Sequence, residues 1–309
     1  MSRAGVAVLG SFMMDLVAHA PRPLQPGETL EGTFFGRYLG GKGINQAVAA
    51  ARLGADVTMI GRVGDDDFGR EFLDTLAREG VDAAHVGVDP DEGTGVGLPV
   101  IYADSRENSI IIVPRANSLV TPEHVQAAAG AIGSADALLI QLELPAETAV
   151  TAARIAKQAG TRVICDPAPA GPAVERLRDL VDYLLPNDGE AKQLAGITSD
   201  GDDGQAAAAA LRRDWGLDAV LITLGERGVI VIDQHTERHI CGVPVDAVST
   251  VGAGDAFAGA LAVRLAADAE LGEAARYATM AAAISCTRPG AVDAMATDDE
   301  VEAHLASTT

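Results

Sequence analysis

Two glycine-rich stretches hold the residues whose types and spacing can do chemistry. In GRYLGGKGINQ, residues 36–46, the run Gly36-x-x-x-x-Gly41-Lys42 approaches the phosphate loop of nucleotide hydrolases. That loop needs a hydroxyl after the lysine to hold Mg²⁺ and a core strand leading into it. Here Gly43 follows Lys42, and GTFFGRY reads as a peripheral strand. The stretch reads instead as the glycine-rich opening of a helix, where backbone amides can approach a ligand closely and Lys42 and Asn45 add directional donors. A neutral polyol suits such a site as well as a phosphate does. A tight turn alone would account for the glycines but not for Lys42 or Asn45.

In STVGAGDAFAGALAVRLA, residues 249–266, Gly252, Ala253 and Gly254 lead into a second helix. Its first turn offers free amides at the positive end of the helix dipole, an anion hole. Asp255 would repel a phosphate if anion binding were the whole purpose. It fits as a base that takes the proton of a hydroxyl while the amides offset charge on a phosphoryl group in transfer. A helix cap would account for Asp255 alone. Further polar groups fall at the ends of apolar runs: Asp15 in GSFMMD, Glu143 in QLE, Asn187 and Glu190 in LPNDGEAKQL, and Thr223 in TLGERG. Open α/β sheets place ligand groups at the carboxyl ends of their strands. The N-x-x-E spacing can order water around Mg²⁺, and TLGERG can hold a nucleotide through Thr223 and backbone amides.

The elements that must position these groups are legible as alternation. VAVLG (6–10), VTMIG (57–61), ALLIQL (137–142), RVICD (162–166), VDYLLP (181–186) and AVLITLG (219–225) are strand-length apolar runs, mostly without polar alternation, as in a parallel sheet covered on both faces. Helical periodicity lies between them at 43–53, 67–80, 146–159 and 203–215, with Gly54, Gly80, Gly160 and Gly216 where helices end. GDDDFG (64–69) reads as a helix cap. This is a doubly wound α/β pattern. Two segments depart from it. Residues 16–40 are rich in Pro and Gly, and 94–113 read as two strands joined by ADSREN; together they predict a small β-sheet serving as lid or dimerisation face. VIVID and HTERHICGV (229–243) read as another hairpin.

Composition narrows the partners. The 309 residues are 48% hydrophobic and 4% aromatic, which suits an α/β enzyme core. With 23 basic and 44 acidic residues the net charge is −21, which argues against nucleic acid and anionic membranes as partners. Three scattered cysteines, Cys165, Cys241 and Cys286, read as buried free thiols. MSRAGVAVLG resembles neither a signal peptide nor a membrane span, so a cytoplasmic location is expected. HTERH (235–239) lacks the glutamate of a zinc-protease helix, and SDGDDG (199–204) lacks the later ligands of a calcium loop.

The chain resembles the phosphofructokinase-B family of carbohydrate kinases, and within it the ribokinases, over essentially its whole length. The resemblance rests on VLGSFMMD, GGKGINQAVAAARLGA, IQLELP, DPAPA, PNDGEAKQLAG, ITLGERG, VGAGDAFAGAL and CTRPGA, above all on GGKG-x-NQA paired with GAGD-x-F. It implies a single α/β kinase domain over 1–309: a ribokinase-like three-layer α/β/α sandwich with a β-sheet lid from about 16–40 and 94–113. It implies ATP-dependent phosphorylation of a small sugar at a primary hydroxyl, ribose at O5 foremost. A 2-deoxyribose, fructose or anionic-sugar kinase, or a non-catalytic sugar-binding regulatory protein, are the alternatives. Asp255 would be the general base and Gly252, Ala253 and Gly254 the anion hole. Asp15, Met13, Gly41, Lys42, Asn45 and Glu143 would hold the sugar, Asn187, Thr223, Gly225 and Gly228 the ATP, and Glu190 the Mg²⁺ network. A monovalent-cation (K⁺) site would lie at Ser249, Val251, Ser285, Arg288 and Gly290. The lid would make a homodimer.

Departures from the family pattern mark where this chain is individual. Met13 stands where bacterial ribokinases usually carry Asn, as in deoxyribokinases and some eukaryotic ribokinases. Arg115 replaces a frequent Gly, which raises the expectation of an anionic sugar, and Pro99 falls within a lid strand. Ser249 replaces an Asp near the K⁺ site and Ala294 a second hydroxyl, which predicts a weakened cation site.

Overall fold

The computed structural model describes residues 3–104, 108–197 and 204–307. The middle of the ADSREN turn, residues 105–107, and all but the last residue of SDGDDG lie outside those residues. In chain order the strands are β1 (Gly5–Leu9), β2 (Met13–Ala20), β3 (Phe34–Gly40), β4 (Asp56–Gly64), β5 (Asp82–Asp89), β6 (Gly95–Tyr102), β7 (Asn108–Val113), β8 (Ala137–Ile140), β9 (Arg162–Cys165), β10 (Tyr183–Leu184), β11 (Ala219–Thr223), β12 (Val229–Asp233) and β13 (Glu237–Ile240). The helices are α1 (Lys42–Arg52), α2 (Asp67–Arg78), α3 (Pro122–Ala127), α4 (Ala129–Ser134), α5 (Ala146–Ala159), α6 (Asp188–Ala195), α7 (Gly204–Trp215), α8 (Ala253–Ala266), α9 (Leu271–Ser285) and α10 (Asp298–Ser307).

Nine strands form one sheet in the order β13-β12-β11-β10-β9-β8-β1-β4-β5. It is parallel from β5 to β11, and β12 and β13 close its other end antiparallel, the predicted hairpin. Successive strand residues point to opposite faces, and both faces are buried. Val6, Val8 and Leu139 join a core with α1, α8 and α9, while Ala7, Leu9 and Leu138 join a second core with α5 and α7. The sandwich is therefore three layers thick. Gly54, Gly80, Gly160 and Gly216 all take the left-handed conformation that ends a helix, as their spacing predicts. The Asp66 side chain accepts the Gly69 N–H at 2.8 Å and caps α2, the predicted role of GDDDFG.

The second sheet has four strands, β3-β2-β6-β7, from the two segments that break the α/β alternation. Pro99 does not break β6. Its antiparallel ladder with β7 runs through the Pro99–Ile110 pair, and only the ladder to β2 skips, from Asp15–Gly97 to Ala18–Val100. Three expectations need correction. The strand expected at 181–186 shrinks to Tyr183–Leu184, ahead of Pro186, which has no N–H to give. Strand β5 escapes the apolar-run criterion because it is the half-exposed edge of the large sheet. Cys165 is buried and its thiol pushed up by burial, but Cys286 is only partly covered and Cys241 is exposed. No described helix is long and apolar enough to cross a membrane.

Arg115 sits at φ 47°, a left-handed conformation that costs a non-glycine residue energy. Its guanidinium donates to Glu92 Oε1 at 3.0 Å and to the Thr94 carbonyl at 3.2 Å, and lies 3.9 Å from Asp66. It is committed to carboxylates near the start of α2, which weakens the reason for expecting an anionic sugar. Relief of the backbone in Arg115→Gly is worth roughly 1 kcal/mol or more, against about 0–1 kcal/mol for a partly exposed ion pair. That variant should melt at the same or a higher temperature and show an unchanged choice between neutral and anionic sugars, read by thermal denaturation and a sugar panel.

Candidate active site

Helix α1 starts abruptly. Gly41 takes φ 98°, and a Cβ there would come within 2.8 Å of the Met13 N, so the chain can turn from β3 into α1 only with glycine at this point. The first helical N–H, that of Lys42, donates to Glu143 Oε2 at 2.9 Å, and Ser11 Oγ–H donates to the same oxygen. Glu143, just beyond the carboxyl end of β8, thus serves the positive end of α1 with one oxygen.

The first turns of α1 aim three side chains at α8. Asn45 Nδ2 donates to Asp255 Oδ2 at 2.8 Å, and Gln46 Nε2 donates to Asp255 Oδ1 at 3.0 Å and to Asp166 Oδ2 at 2.9 Å. The Lys42 ammonium lies 3.0 Å from Asp166 Oδ2 and 3.8 Å from Asp255 Oδ1. Asp255 and Asp166 are both buried. Burial pushes Asp166 up to about 6 against the pull of Lys42. The lysine is disfavoured by burial too, but the carboxylates of Asp255, Asp166 and Glu143 more than offset this and raise it. Close helix approach makes these contacts possible: a Cβ on Gly259, one turn beyond Asp255, would stand 2.7 Å from Ala49 Cβ.

Asp255 is the third residue of α8 and does not cap it. The helix instead starts from Gly252 in a left-handed conformation, with no side-chain cap. Of the three expected anion-hole amides, that of Ala253 is directed at the Thr250 carbonyl at 3.3 Å. The N–H groups of Gly252 and Gly254 have no acceptor among the described residues, and the space over Gly254 is open. This open end faces a cavity lined also by Lys42, Asp166, Asn187, Glu190 and Thr223. Asn187 and Glu190 form a reciprocal capping box at the start of α6, each side chain accepting the other's N–H at 2.9 Å. That local role explains their spacing, and their place in the cavity leaves them available to a ligand. Thr223 ends β11 beside Asn187. Gly225 opens onto space, while a Cβ on Gly228 would collide with the backbone of 240–242.

Asp15 lies within β2, not in a loop after β1. Its carboxylate accepts nothing from the described residues, and burial with a smaller push from Glu143 raises it to about 6. It stands where Cβ atoms on Gly40 and Gly97 would be, 2.3 Å from each. Met13, two residues earlier, is buried. The loops 248–252 and 285–290 meet where the Val248 and Ser249 N–H groups donate to the Cys286 carbonyl. Ser249 Oγ accepts the Val251 N–H at 3.3 Å, Ser285 Oγ–H donates to the Ala282 carbonyl, and Arg288 pairs with Glu300. Backbone carbonyls, with no carboxylate from 249, are what remain there for a cation.

Sequence reasoning missed Gln46, Gln141, Asp166, Ser11 and Asn117. Asp166 ends a strand just as Glu143 does, so the same rule would have found it. Gln141 is a lone amide in an apolar run. Asn117 clamps both backbone groups of Phe12, at 3.0 and 2.7 Å, and only the folded chain puts them together.

A three-layer α/β sandwich with a carboxylate and open amides at the start of a buried helix, beside a polar cavity at the strand ends, is a framework for phosphoryl transfer to a small molecule. The profile described as "pfkB family carbohydrate kinase" matches residues 3–298, and the chain belongs to that family. It is similar to the ribokinase of Haemophilus influenzae, 39% identical over 298 residues that cover 96% of this chain and 97% of that one. It is also similar to the deoxyribokinase of Salmonella typhi, 36% identical over 292 residues covering 92% and 93%. Among solved structures, the Arabidopsis thaliana ribokinase complexed with ribose and ATP matches with a TM-score of 0.89 at 28% identity, over 98% of this chain and 99% of that one. The Thermotoga maritima ribokinase matches at 0.88 and 31%, with the same coverage. The fold is ribokinase-like, and the chain is a sugar kinase.

Gly97→Ala tests the small-sheet half of the site. The new Cβ must push the Asp15 carboxylate aside, which a side-chain rotation can absorb. The fold should survive, with melting within a few degrees of wild type. On the expectation that Asp15 receives sugar hydroxyls, loss of those charged hydrogen bonds, worth about 1.5–3 kcal/mol, should raise the sugar KM about tenfold or more, measured by steady-state kinetics.

Proposed function

We propose that this chain transfers the γ-phosphoryl group of ATP to the primary hydroxyl of a pentose, D-ribose at O5 giving ribose 5-phosphate and ADP. The observation that carries the reading is the Asp255 carboxylate, fixed by Asn45 and Gln46 beside the open amides at the start of α8. Asp255 takes the O5 proton as O5 bonds to the γ-phosphorus and the bond from that phosphorus to the β,γ-bridging oxygen breaks, the electron pair leaving with ADP. The Gly252 and Gly254 amides and the Lys42 ammonium offset charge on the moving group. Asp15, Asn45 and the free oxygen of Glu143 receive sugar hydroxyls, Gly41 keeps the backbone close to them, and Asn187, Thr223, Gly225 and Gly228 frame the nucleotide.

Among the described residues no group of three or more carboxylate, His or Cys ligands could cage a metal. Mg²⁺ would come with the nucleotide, and Glu190, which lines the cavity, would be the residue to help hold it. When bound, Mg²⁺ neutralises phosphate charge. The residues 1–309 act as one kinase domain, with the four-stranded sheet as lid over the acceptor. Phe34 and Phe35 on β3 and Ile110–Val113 on β7 are exposed apolar groups on the two edge strands of that sheet, which favours a homodimer through it. A cytoplasmic location suits this chemistry, which draws on an ATP pool.

A second reading, phosphorylation of 2-deoxyribose, is favoured by Met13. Its Cγ stands 3.6 Å from where a Gly97 side chain would begin, beside Asp15, and offers no hydrogen bond to a sugar hydroxyl. Fructose and a silent sugar-binding protein have no such observation behind them. ADP release over a panel of ribose, 2-deoxyribose, fructose and anionic sugars should give ribose a kcat/KM at least about tenfold above the rest, and Asp255→Asn should keep sugar binding while losing about 10²–10⁴-fold in kcat. Preference for 2-deoxyribose would move the assignment to the second reading, and near-normal turnover in Asp255→Asn would remove the base from the mechanism.

With Ser249 bonded to Val251 in place of a carboxylate, and Arg288 paired with Glu300, the 248–252 and 285–290 loops offer K⁺ no carboxylate of their own, which makes for a weakened site. Replacing Na⁺ with K⁺ at constant ionic strength should change kcat by less than about twofold. A steep rise with K⁺ would show that the site is not weakened.

A further inference from the structure

We propose that Gln46 is a positioning residue for Asp255 and that Gln141 locks the direction in which Gln46 points; this rests on the reading of Asp255 as the general base. Gln46 is fully buried, and its amide nitrogen spans Asp166 Oδ2 at 2.9 Å and Asp255 Oδ1 at 3.0 Å. The Lys42 ammonium spans the same two oxygens, at 3.0 and 3.8 Å. Asn45 meets the other oxygen of Asp255. With a donor on each oxygen the carboxylate plane is fixed, and a base must be held this way to meet a hydroxyl in line with phosphorus.

An amide can point either way, and one direction would be ruinous here. A flipped Gln46 would set its carbonyl oxygen against two carboxylates. Gln141 prevents this: its Nε2 donates to Gln46 Oε1 at 2.5 Å, so the flip would lose three hydrogen bonds and set two amide NH₂ groups face to face. Among the described residues Gln141 makes no hydrogen bond to either carboxylate, and its own buried Oε1 has no partner. The arrangement leaves one polar atom unsatisfied to hold another group's orientation. A neutral donor also suits the task better than a second cation, which would stabilise the Asp255 carboxylate and weaken it as a base.

Steady-state kinetics on Gln46→Met, Gln141→Met and the double variant, with Asp255→Asn alongside, test this. Gln46→Met should lower kcat about 10–100-fold, with the sugar KM within about threefold because Asp15 and Glu143 are untouched. Gln141→Met should lower kcat about 3–10-fold, and the double variant should be no worse than Gln46→Met, since Gln141 acts only through Gln46. Losses that multiply in the double variant, or kcat and KM moving together, would overturn the proposal in favour of plain packing. If melting shows Gln46→Met unfolded, Gln141→Met decides alone: an unchanged kcat overturns the proposal, a lowered kcat at constant KM supports it. Near-normal turnover in Asp255→Asn would instead defeat the base reading itself, whereas an inactive Asp255→Asn with multiplying glutamine losses defeats only the positioning role.

Discussion

The centre of this molecule depends on keeping two buried carboxylates, Asp166 and Asp255, beside a single ammonium, Lys42. A buried charge left without partners costs several kcal/mol, and two like charges side by side cost more. One lysine cannot offset both, so the remainder falls to neutral donors, Gln46 between the two and Asn45 beyond. That requirement explains features remote from the chemistry. Helices α1 and α8 must touch, hence alanines on both and Gly259 at the contact. The start of α1 must be fixed in rotation, hence Gly41 before it and Glu143 holding its first N–H.

The two sheets divide the work. The large sheet brings Glu143, Asp166, Asn187 and Thr223 to the carboxyl ends of adjacent strands, where parallel topology gathers loops from distant parts of the chain. The small sheet brings one group, Asp15, into a slot made by the absence of side chains at Gly40 and Gly97. On the proposed reading, the small sheet thus adds Asp15 to the sugar-binding groups Asn45 and Glu143, which α1 and the large sheet supply. Asn117 joins the two, because it clamps the Phe12 backbone between β1 and β2.

Several residues hold a structural and a ligand-facing position at once. Asn187 and Glu190 cap α6 and also line the cavity, and Glu143 gives one oxygen to α1 while the other accepts nothing from the described residues. This economy follows from where the site lies. Helix starts and strand ends carry backbone groups that need partners, so the side chains that satisfy them are already beside the cavity.

The sequence by itself determined the layers, because buried parallel strands need unbroken apolar runs and glycines placed at helix ends, such as Gly54, Gly80, Gly160 and Gly216, take the left-handed conformation whatever surrounds them. It also marked Lys42 and Asn45, which a tight turn leaves unexplained, and Asp255, for which the sequence left a helix cap open until the structure showed α8 without a side-chain cap. It misjudged what depends on neighbours: β5, whose half-exposed edge position relaxes the need for apolar residues; Cys241, exposed beside an apolar run; and Arg115, whose partners turn it onto acidic groups. Only the tertiary structure decided that Gln46, Gln141 and Asp166 belong with Asp255. Hydrogen bonds between residues some 95 to 210 positions apart depend on which helices touch and how each amide is turned, and neither leaves a pattern along the chain.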